Sequence, residues 1–308
     1  MQKEELWEYT LQPQDNGKKY QDILAHKFHF SRKLLQSLKQ GEHAWINGKF
    51  TYLTARGQAG DLLSVQLLGE EPPNIPGEQL PLDILFEDDY LLIVNKPPGQ
   101  VVHPNHRYPT GTLGNAVVGY WQAKETSHRF RPIHRIDRNT SGIVVIAKSR
   151  FAHQQLAYQL EHNLIHKHYL GFVQGCVLED QGKMDQTIAL TPGSFIQRTV
   201  SPDGLPALTY YQVLYRYPEA TLMRFMLSTG RTHQIRVHCQ ALGHPLLGDD
   251  LYGGQLELIQ RQALHSYHYA FQHPATGENI SIYAPWPKDL IELVSKLKTK
   301  TCFFGASP

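Results

Sequence analysis

Arg131-Pro-Ile-His-Arg-Ile-Asp-Arg-Asn-Thr-Ser-Gly142 runs directly into the apolar stretch Ile143-Val-Val-Ile-Ala147. A short apolar run of this kind reads as a buried strand. The polar residues ahead of it then lie on a loop fixed by rigid backbone, where reactive groups are often found. One carboxylate, Asp137, stands there among Arg131, Arg135 and Arg138. Neighbouring cations favour the ionised form of an acid. An ionised acid suits a nucleophile or a base rather than a proton donor. A structural Asp–Arg network on a strand lead-in accounts for the same residues equally well. The arginines would also attract a polyanion. Arg135 is placed to reach an extruded base or the gap it leaves, to clamp a phosphate, or to form a surface ion pair.

Outward from this segment, strand-like runs recur at residues 91–94, 168–173, 208–214 and 221–227, with helical patterns at 112–121, 152–161 and 233–242. Strands and helices without regular alternation point to an α+β fold with a mixed, largely antiparallel sheet. No Gly-x-Gly-x-x-Gly or P-loop occurs, so no dinucleotide or nucleoside triphosphate site is indicated.

Three other segments carry chemistry. In Asn95-Lys-Pro-Pro-Gly99, Lys96 sits where a strand gives way to a turn, placed either to hold a phosphate or to brace the floor of a site. In His166-Lys-His-Tyr-Leu-Gly171, the Tyr169 ring can wall a pocket and stack on a base, or simply fill the core. In Leu227-Ser-Thr-Gly-Arg-Thr-His-Gln-Ile-Arg-Val-His238, Arg231 falls at a turn from which it could pair bidentately with Asp137. Thr232 is the expected helix cap. Arg236, further along that helix, would brace the sheet or touch phosphate.

Size and composition limit the choices. The chain has 308 residues, 41% hydrophobic and 19% charged, with a net charge of +2, which fits one large core with room for a small appended domain. Its three cysteines are scattered and odd in number, which indicates neither a disulfide framework nor a thiolate metal cluster. The 17 histidines include no His-Glu-x-x-His arrangement. No leader or membrane span is visible. A cytoplasmic monomer without metal or cofactor is expected.

Charge is nevertheless unevenly spread. Residues 18–56 carry a net of +6, whereas residues 57–90 hold eight acids and no Lys or Arg. The Pro-rich part of that acidic stretch reads as a linker over 71–82. It separates a unit at 1–70 from a larger one at 83–308. In the small unit, residues 22–30 have helical spacing. Ser31 is placed to cap a second helix bearing Leu34, Leu35 and Leu38, and turns fall at Asn47-Gly48 and Gly60-Asp61. Arg32, Lys33, Lys39 and Lys49 are either a solvated basic face or RNA contacts.

The small unit resembles an S4-type RNA-binding domain, through Ser31-Arg32, Gly41, Asn47-Gly-Lys49 and Gly60-Asp61. The large unit resembles the RluA-type family of RNA pseudouridine synthases. The matching residues are Asn95-Lys-Pro97, His134-Arg-Ile-Asp137 with Thr140-Ser-Gly142, Lys167-x-Tyr169 and Thr229-Gly-Arg-Thr-His-Gln-Ile-Arg-Val-His238. Gly248-Asp249, Tyr252-Gly253 and His265-x-x-His268 extend the match. The resemblance implies conversion of uridine to pseudouridine in RNA, without cofactor. It implies Asp137 as the essential carboxylate and Tyr169 as the base-stacking residue and a late proton acceptor. It also implies Arg231 as the partner of Asp137 and Arg135 as the support of the flipped nucleotide. Lys96, Arg138 and Arg236 join the basic residues of the small unit as expected RNA contacts. Large-subunit ribosomal RNA is the expected substrate, with transfer RNA the alternative. A non-catalytic RNA-binding module, an RNA hydrolase and a sugar-active enzyme with paired carboxylates are the rival classes.

Overall fold

The computed structural model describes residues 6–67 and 73–299. The first unit contains β1 (Leu6–Thr10), α1 (Tyr20–His26), α2 (Arg32–Leu38), β2 (Ala44–Ile46), β3 (Lys49–Phe50) and β4 (Leu62–Gln66). Its four antiparallel strands lie in the order β1-β4-β2-β3. The sequence reading did not anticipate β1. Its Trp7 joins Ile23, Leu24, Leu34, Leu38, Leu63 and Val65 in one core. The Ser31 hydroxyl caps α2 by accepting the Leu34 N–H at 3.2 Å. The Asn47-Gly48 turn has φ of 50° and 77°, the left-handed pair that a tight hairpin requires. Helix α1 stops at His26, short of the expected end at 30, and the chain turns through His29 at φ 55°.

The larger unit begins with β5 (Ile84–Glu87), β6 (Leu91–Lys96), α3 (Leu113–Ala123), β7 (Ser141–Ala147), α4 (Arg150–Glu161) and β8 (His166–Gln174). β9 (Gln181–Met184), β10 (Ile188–Leu190), β11 (Arg198–Val200), β12 (Thr209–Arg216), β13 (Ala220–Leu227) and α5 (Gln234–Ala241) follow. β14 (Leu264–Gln272), β15 (Asn279–Tyr283) and α6 (Lys288–Thr299) complete it. Nine strands form one sheet in the order β5-β6-β7-β14-β8-β13-β12-β9, with β15 on the far end of β14. Only the β7–β14 pairing is parallel. The fold is therefore α+β with a largely antiparallel sheet, as the pattern predicts.

All seven residues of β7 are buried, which explains its unbroken apolar run. One core sets Leu92, Val94, Val144 and Phe225 of the sheet against Val117 and Trp121 of α3 and Ile235 of α5. A second sets Leu91, Ile93 and Val145 against Ala152 and Leu156 of α4. Gly142, at φ 110°, cannot be another residue without a shift, because a Cβ there would lie 2.1 Å from the Ser266 carbonyl oxygen. That close approach allows β7 and β14 to pair just where the Asp137 loop ends.

Residues 73–83 carry no helix or strand, yet they are strapped along α3. Asn115 Nδ2 donates to the Pro76 carbonyl at 2.9 Å, and the Glu78 N–H donates to the Asn115 carbonyl at 2.9 Å. The small unit also docks on α4. Phe151 lies 5.3 Å from Phe30 between ring centroids, and Tyr158 stacks on His29 at 3.7 Å. Gln154 and Gln155 donate to the carbonyls of His29 and Phe28.

Candidate active site

The Asp137 loop enters beside β7. Ile133 N–H donates to Val145 O and Ala147 N–H to Arg131 O, both at 2.9 Å. The chain then turns, with Thr140 N–H donating to Asp137 O at 3.1 Å. Two buried cations hold the turn from below. Lys96 Nζ donates to the carbonyls of Pro97 and Gln100 at 2.8 Å and of Arg138 at 3.0 Å. Arg261 Nη1 donates to Asn139 O at 3.0 Å, while its Nε and Nη2 grip Asp289 at 2.6 and 3.0 Å. Gln262 adds a bond to Thr140 Oγ1 at 3.3 Å.

Lys96 is fully buried, so it braces the site floor and cannot be the phosphate contact considered from sequence. Burial pushes its pKa down to about 7; the Asp137 charge opposes this and Arg261 reinforces it. Three carbonyl acceptors nonetheless match the three N–H donors of an ammonium, and a neutral amine has only two.

The Asp137 side chain remains 25% exposed. Its Oδ2 is 3.4 Å from Arg236 Nη1, and its Oδ1 is 3.9 Å from His233 Nε2. The guanidinium at Asp137 thus belongs to Arg236, not Arg231. Arg236 is buried, where it clamps Asp249 bidentately at 2.7 Å through Nε and Nη2 and lies 4.9 Å from the Tyr252 ring centroid. Burial works against its charge, but the bonds to Asp249 and the charges of Asp249 and Asp137 outweigh burial and raise its pKa. Being buried, it is not a phosphate contact either. Arg231 is exposed, and its Nε donates to Pro206 O at 3.0 Å.

The reason lies in Gln234. Its Oε1 accepts from Thr229 Oγ1 at 2.8 Å and from Arg231 N–H at 2.9 Å, and its Nε2 donates to Leu208 O at 3.1 Å. The turn is locked from the helix side, which sends Arg231 outward. Thr232 is not the cap: His233 holds that position at φ 59° without a capping bond from its side chain. The His233 Nδ1 instead lies 2.8 Å from Tyr252 OH. Burial lowers the His233 pKa despite the nearby Asp137 charge.

Tyr169 on β8 is 6% exposed and packs with the main core. Burial pushes its hydroxyl up to about 12, with Ser266 and Tyr269 easing the effect and Asp137 adding to it. It is a neutral phenol over the physiological range. Arg135 is exposed, two residues before Asp137. Arg138 is exposed as well, and its Nη1 donates to Tyr108 OH at 2.5 Å. Arg32, Lys33, Lys39 and Lys49 are exposed on the small unit, apart from the Asp137 cluster.

The site therefore unites Asp137, Arg236, Asp249, Tyr252 and His233, with Tyr169 close enough to feel the Asp137 charge. Sequence reasoning assigned no role to Asp249 or His233 and missed Arg261 entirely. Gly248-Asp249 was visible within the family resemblance, whereas nothing local marks Arg261, because its partners at the site, the Asp289 carboxylate and the Asn139 carbonyl, are distant in sequence. Among the described residues, no group of three or more His, Cys, Asp or Glu side chains is arranged to hold a metal ion. A partly exposed carboxylate fixed by a guanidinium, itself anchored by a second buried carboxylate, can act on an electrophilic carbon or an activated proton.

A family model for RNA pseudouridylate synthase matches residues 90–241. An uncharacterized RNA pseudouridine synthase of Bacillus subtilis, YjbO, is 39% identical over 272 residues, covering 88% of this chain and 96% of that protein. The ribosomal large subunit pseudouridine synthase D of Haemophilus ducreyi is 36% identical over 300 residues, covering 92% of each. The solved human RNA pseudouridylate synthase domain containing 4 shares the fold, with a TM-score of 0.58 at 21% identity over 70% of this chain and 93% of its own. The chain belongs to the RNA pseudouridine synthase family. It is an isomerase that acts on RNA.

Proposed function

We propose that this enzyme converts one or more uridines of large-subunit ribosomal RNA to pseudouridine, with Asp137 as the catalytic carboxylate. The observation that carries the reading is the setting of Asp137: the only acid of its loop, partly open to solvent, with Arg236 on one oxygen. A target uridine in a stack must be extruded before chemistry. The C1′–N1 bond then opens, with its electron pair passing to the uracil. Asp137 assists by bonding to C1′ or by taking the 2′ proton. The base turns, C5 joins C1′, and the C5 proton leaves as N1 gains one, so composition and mass are unchanged. Tyr169 offers a face to the base. As a neutral phenol it is better suited to that than to collecting the C5 proton unaided. Arg135, exposed two residues before Asp137, supports the flipped nucleotide.

Several relatives at 33–36% identity are named as ribosomal large-subunit enzymes, which favours that substrate over transfer RNA. Residues 6–67 serve as an S4-like RNA-holding unit, supported by a capped basic helix and four exposed cations on an otherwise nearly neutral chain. Pseudouridine mapping of total RNA with and without the protein, repeated with Asp137→Asn, tests the reading. New pseudouridine in large-subunit RNA with the native enzyme alone is expected. Shortened RNA, or saturable binding without modification, would overturn it.

A further inference from the structure

Between β9 and β12 the chain leaves the main sheet and folds around the separate β10–β11 pair. The inner residues of this excursion, Ile188 and Ala207, pack against Val237 of α5 and Tyr252. Other apolar side chains of the excursion face water: Leu190, Ile196, Val200 and Leu205 are exposed, and Phe195, at the tip, is 96% exposed. Exposed in this way, the Phe195 ring adds almost none of the stabilisation that burial would supply. The turn that carries it is nevertheless ordered by its own bonds. Thr191 N–H donates to Gln197 O at 2.9 Å and Ser194 N–H to Thr191 O at 3.0 Å. The Ser194 hydroxyl accepts the N–H groups of Ile196 and Gln197 at 3.2 and 2.9 Å. The turn is also tied to the site. Arg198 N–H donates to Tyr252 OH at 2.9 Å, and Gln197 Nε2 donates to Leu251 O at 3.3 Å. The same Tyr252 hydroxyl lies 2.8 Å from His233 Nδ1, and the other nitrogen of that ring is 3.9 Å from Asp137 Oδ1. Three residues, no more than roughly 10 Å of chain, separate Phe195 from Arg198.

We propose that Phe195 stacks on an unpaired base flanking the target nucleotide, which makes the hairpin tip a binding subsite for the strand that reaches Asp137. The inference rests on the proposed RNA isomerase reading and adds a contact by a residue that the reading does not use. Position favours RNA as the occupant. Any partner settled on a hairpin joined to Asp137 through Tyr252 and His233 must leave the strand access to that carboxylate, and the strand itself does so. The mixture of groups favours it too. An unpaired base presents a flat apolar face joined to a phosphate. The hairpin presents an exposed ring three residues before Arg198, while the exposed Arg231 is held to the end of the excursion through its bond to Pro206 O at 3.0 Å. A phenyl ring has no hydrogen-bonding group, so it selects among bases by stacking strength and not by their edges.

The test compares the full chain with its Phe195→Ala and Phe195→Trp variants on a fragment of large-subunit ribosomal RNA that the native enzyme binds. Because the ring is exposed, all three proteins should unfold at the same temperature. In Phe195→Ala, Kd and KM for the RNA should rise about five- to a hundredfold with kcat retained. The slope of log Kd against log salt should stay the same, because no charge is lost. Phe195→Trp should restore the affinity, and RNA should quench its fluorescence by more than it quenches that of the native protein. Unchanged affinity in Phe195→Ala, or a loss that Phe195→Trp does not restore, would overturn the proposal. So would a lower unfolding temperature that accounts for the weaker binding, since the ring would then serve the fold. Self-association lost in Phe195→Ala at unchanged RNA affinity would assign the tip to a second copy of the chain and overturn it as well. If the native enzyme forms no pseudouridine, the isomerase reading has failed; the affinities of the three proteins for the same fragment still decide the stacking.

Discussion

The two regions of this molecule use their cations in opposite ways. Around Asp137, Lys96, Arg236 and Arg261 are buried and bonded to carbonyls or carboxylates of the protein itself. On the small unit, Arg32, Lys33, Lys39 and Lys49 are all exposed. Buried cations without compensation would be severely destabilising, so the first set is defined by its partners and shapes the Asp137 loop. The second set has solvent around it and can exchange that solvent for phosphate. Positive charge near a site is thus two different things, and burial decides which.

The largest expected effect breaks the first region at its centre. Asp137→Asn should lower turnover by at least about 10³-fold while RNA affinity is largely retained. Equal loss of binding and turnover would remove the chemical role. Next comes Arg236→Met, which leaves Asp249 buried without its partner and should cost about 3–5 kcal/mol of stability. Combining it with Asp249→Leu should restore much of the stability, measured by urea unfolding, without restoring turnover. Recovery of both together would reduce Arg236 to a structural brace.

A third prediction concerns pH. His265 is fully buried, its Nδ1 lies 2.9 Å from Ser141 Oγ, and burial holds its pKa down at about 4. The unfolded chain binds this proton near pH 6.5, so the histidine's contribution is fully present above that value. It is lost as pH falls from about 6.5 towards 4, at roughly 1.4 kcal/mol per unit. Urea midpoints at pH 7 and 5 should differ less in His265→Asn than in the native protein. The exposed cations should matter less to folding and more to salt. Changing Arg32, Lys33, Lys39 and Lys49 to Gln should weaken binding about tenfold and flatten its salt dependence. An unchanged slope would place the RNA elsewhere.

The same contrast explains what the sequence could reveal. β7 was legible because all its residues face the core, and α2 because Ser31 caps it in the first turn. β14 was not, although it sits mid-sheet. His265, Ser266 and His268 interrupt its apolar pattern, and two of them pair with Ser141 and Ser281, residues distant in sequence or across a hairpin. The loop bearing Asp137 could be found from local composition. The cations beneath it could not be sorted, since Lys96 and Arg135 look equally available until burial separates them.

Arg231 and Arg236 give the smallest expected effect and the sharpest discrimination. Both lie in one segment, and the family resemblance names Arg231 as the partner of Asp137. The geometry gives that place to Arg236, because the Gln234 side chain fixes the intervening turn and directs Arg231 to Pro206 O. Arg231→Ala removes one exposed hydrogen bond, so stability should change by no more than about 1 kcal/mol. Any kinetic effect should be a few-fold rise in KM from lost contact with RNA, with kcat nearly intact. A fall in kcat comparable to that of Arg236→Met would mean that Arg231 swings onto Asp137 when RNA binds, and the two arginines would exchange roles.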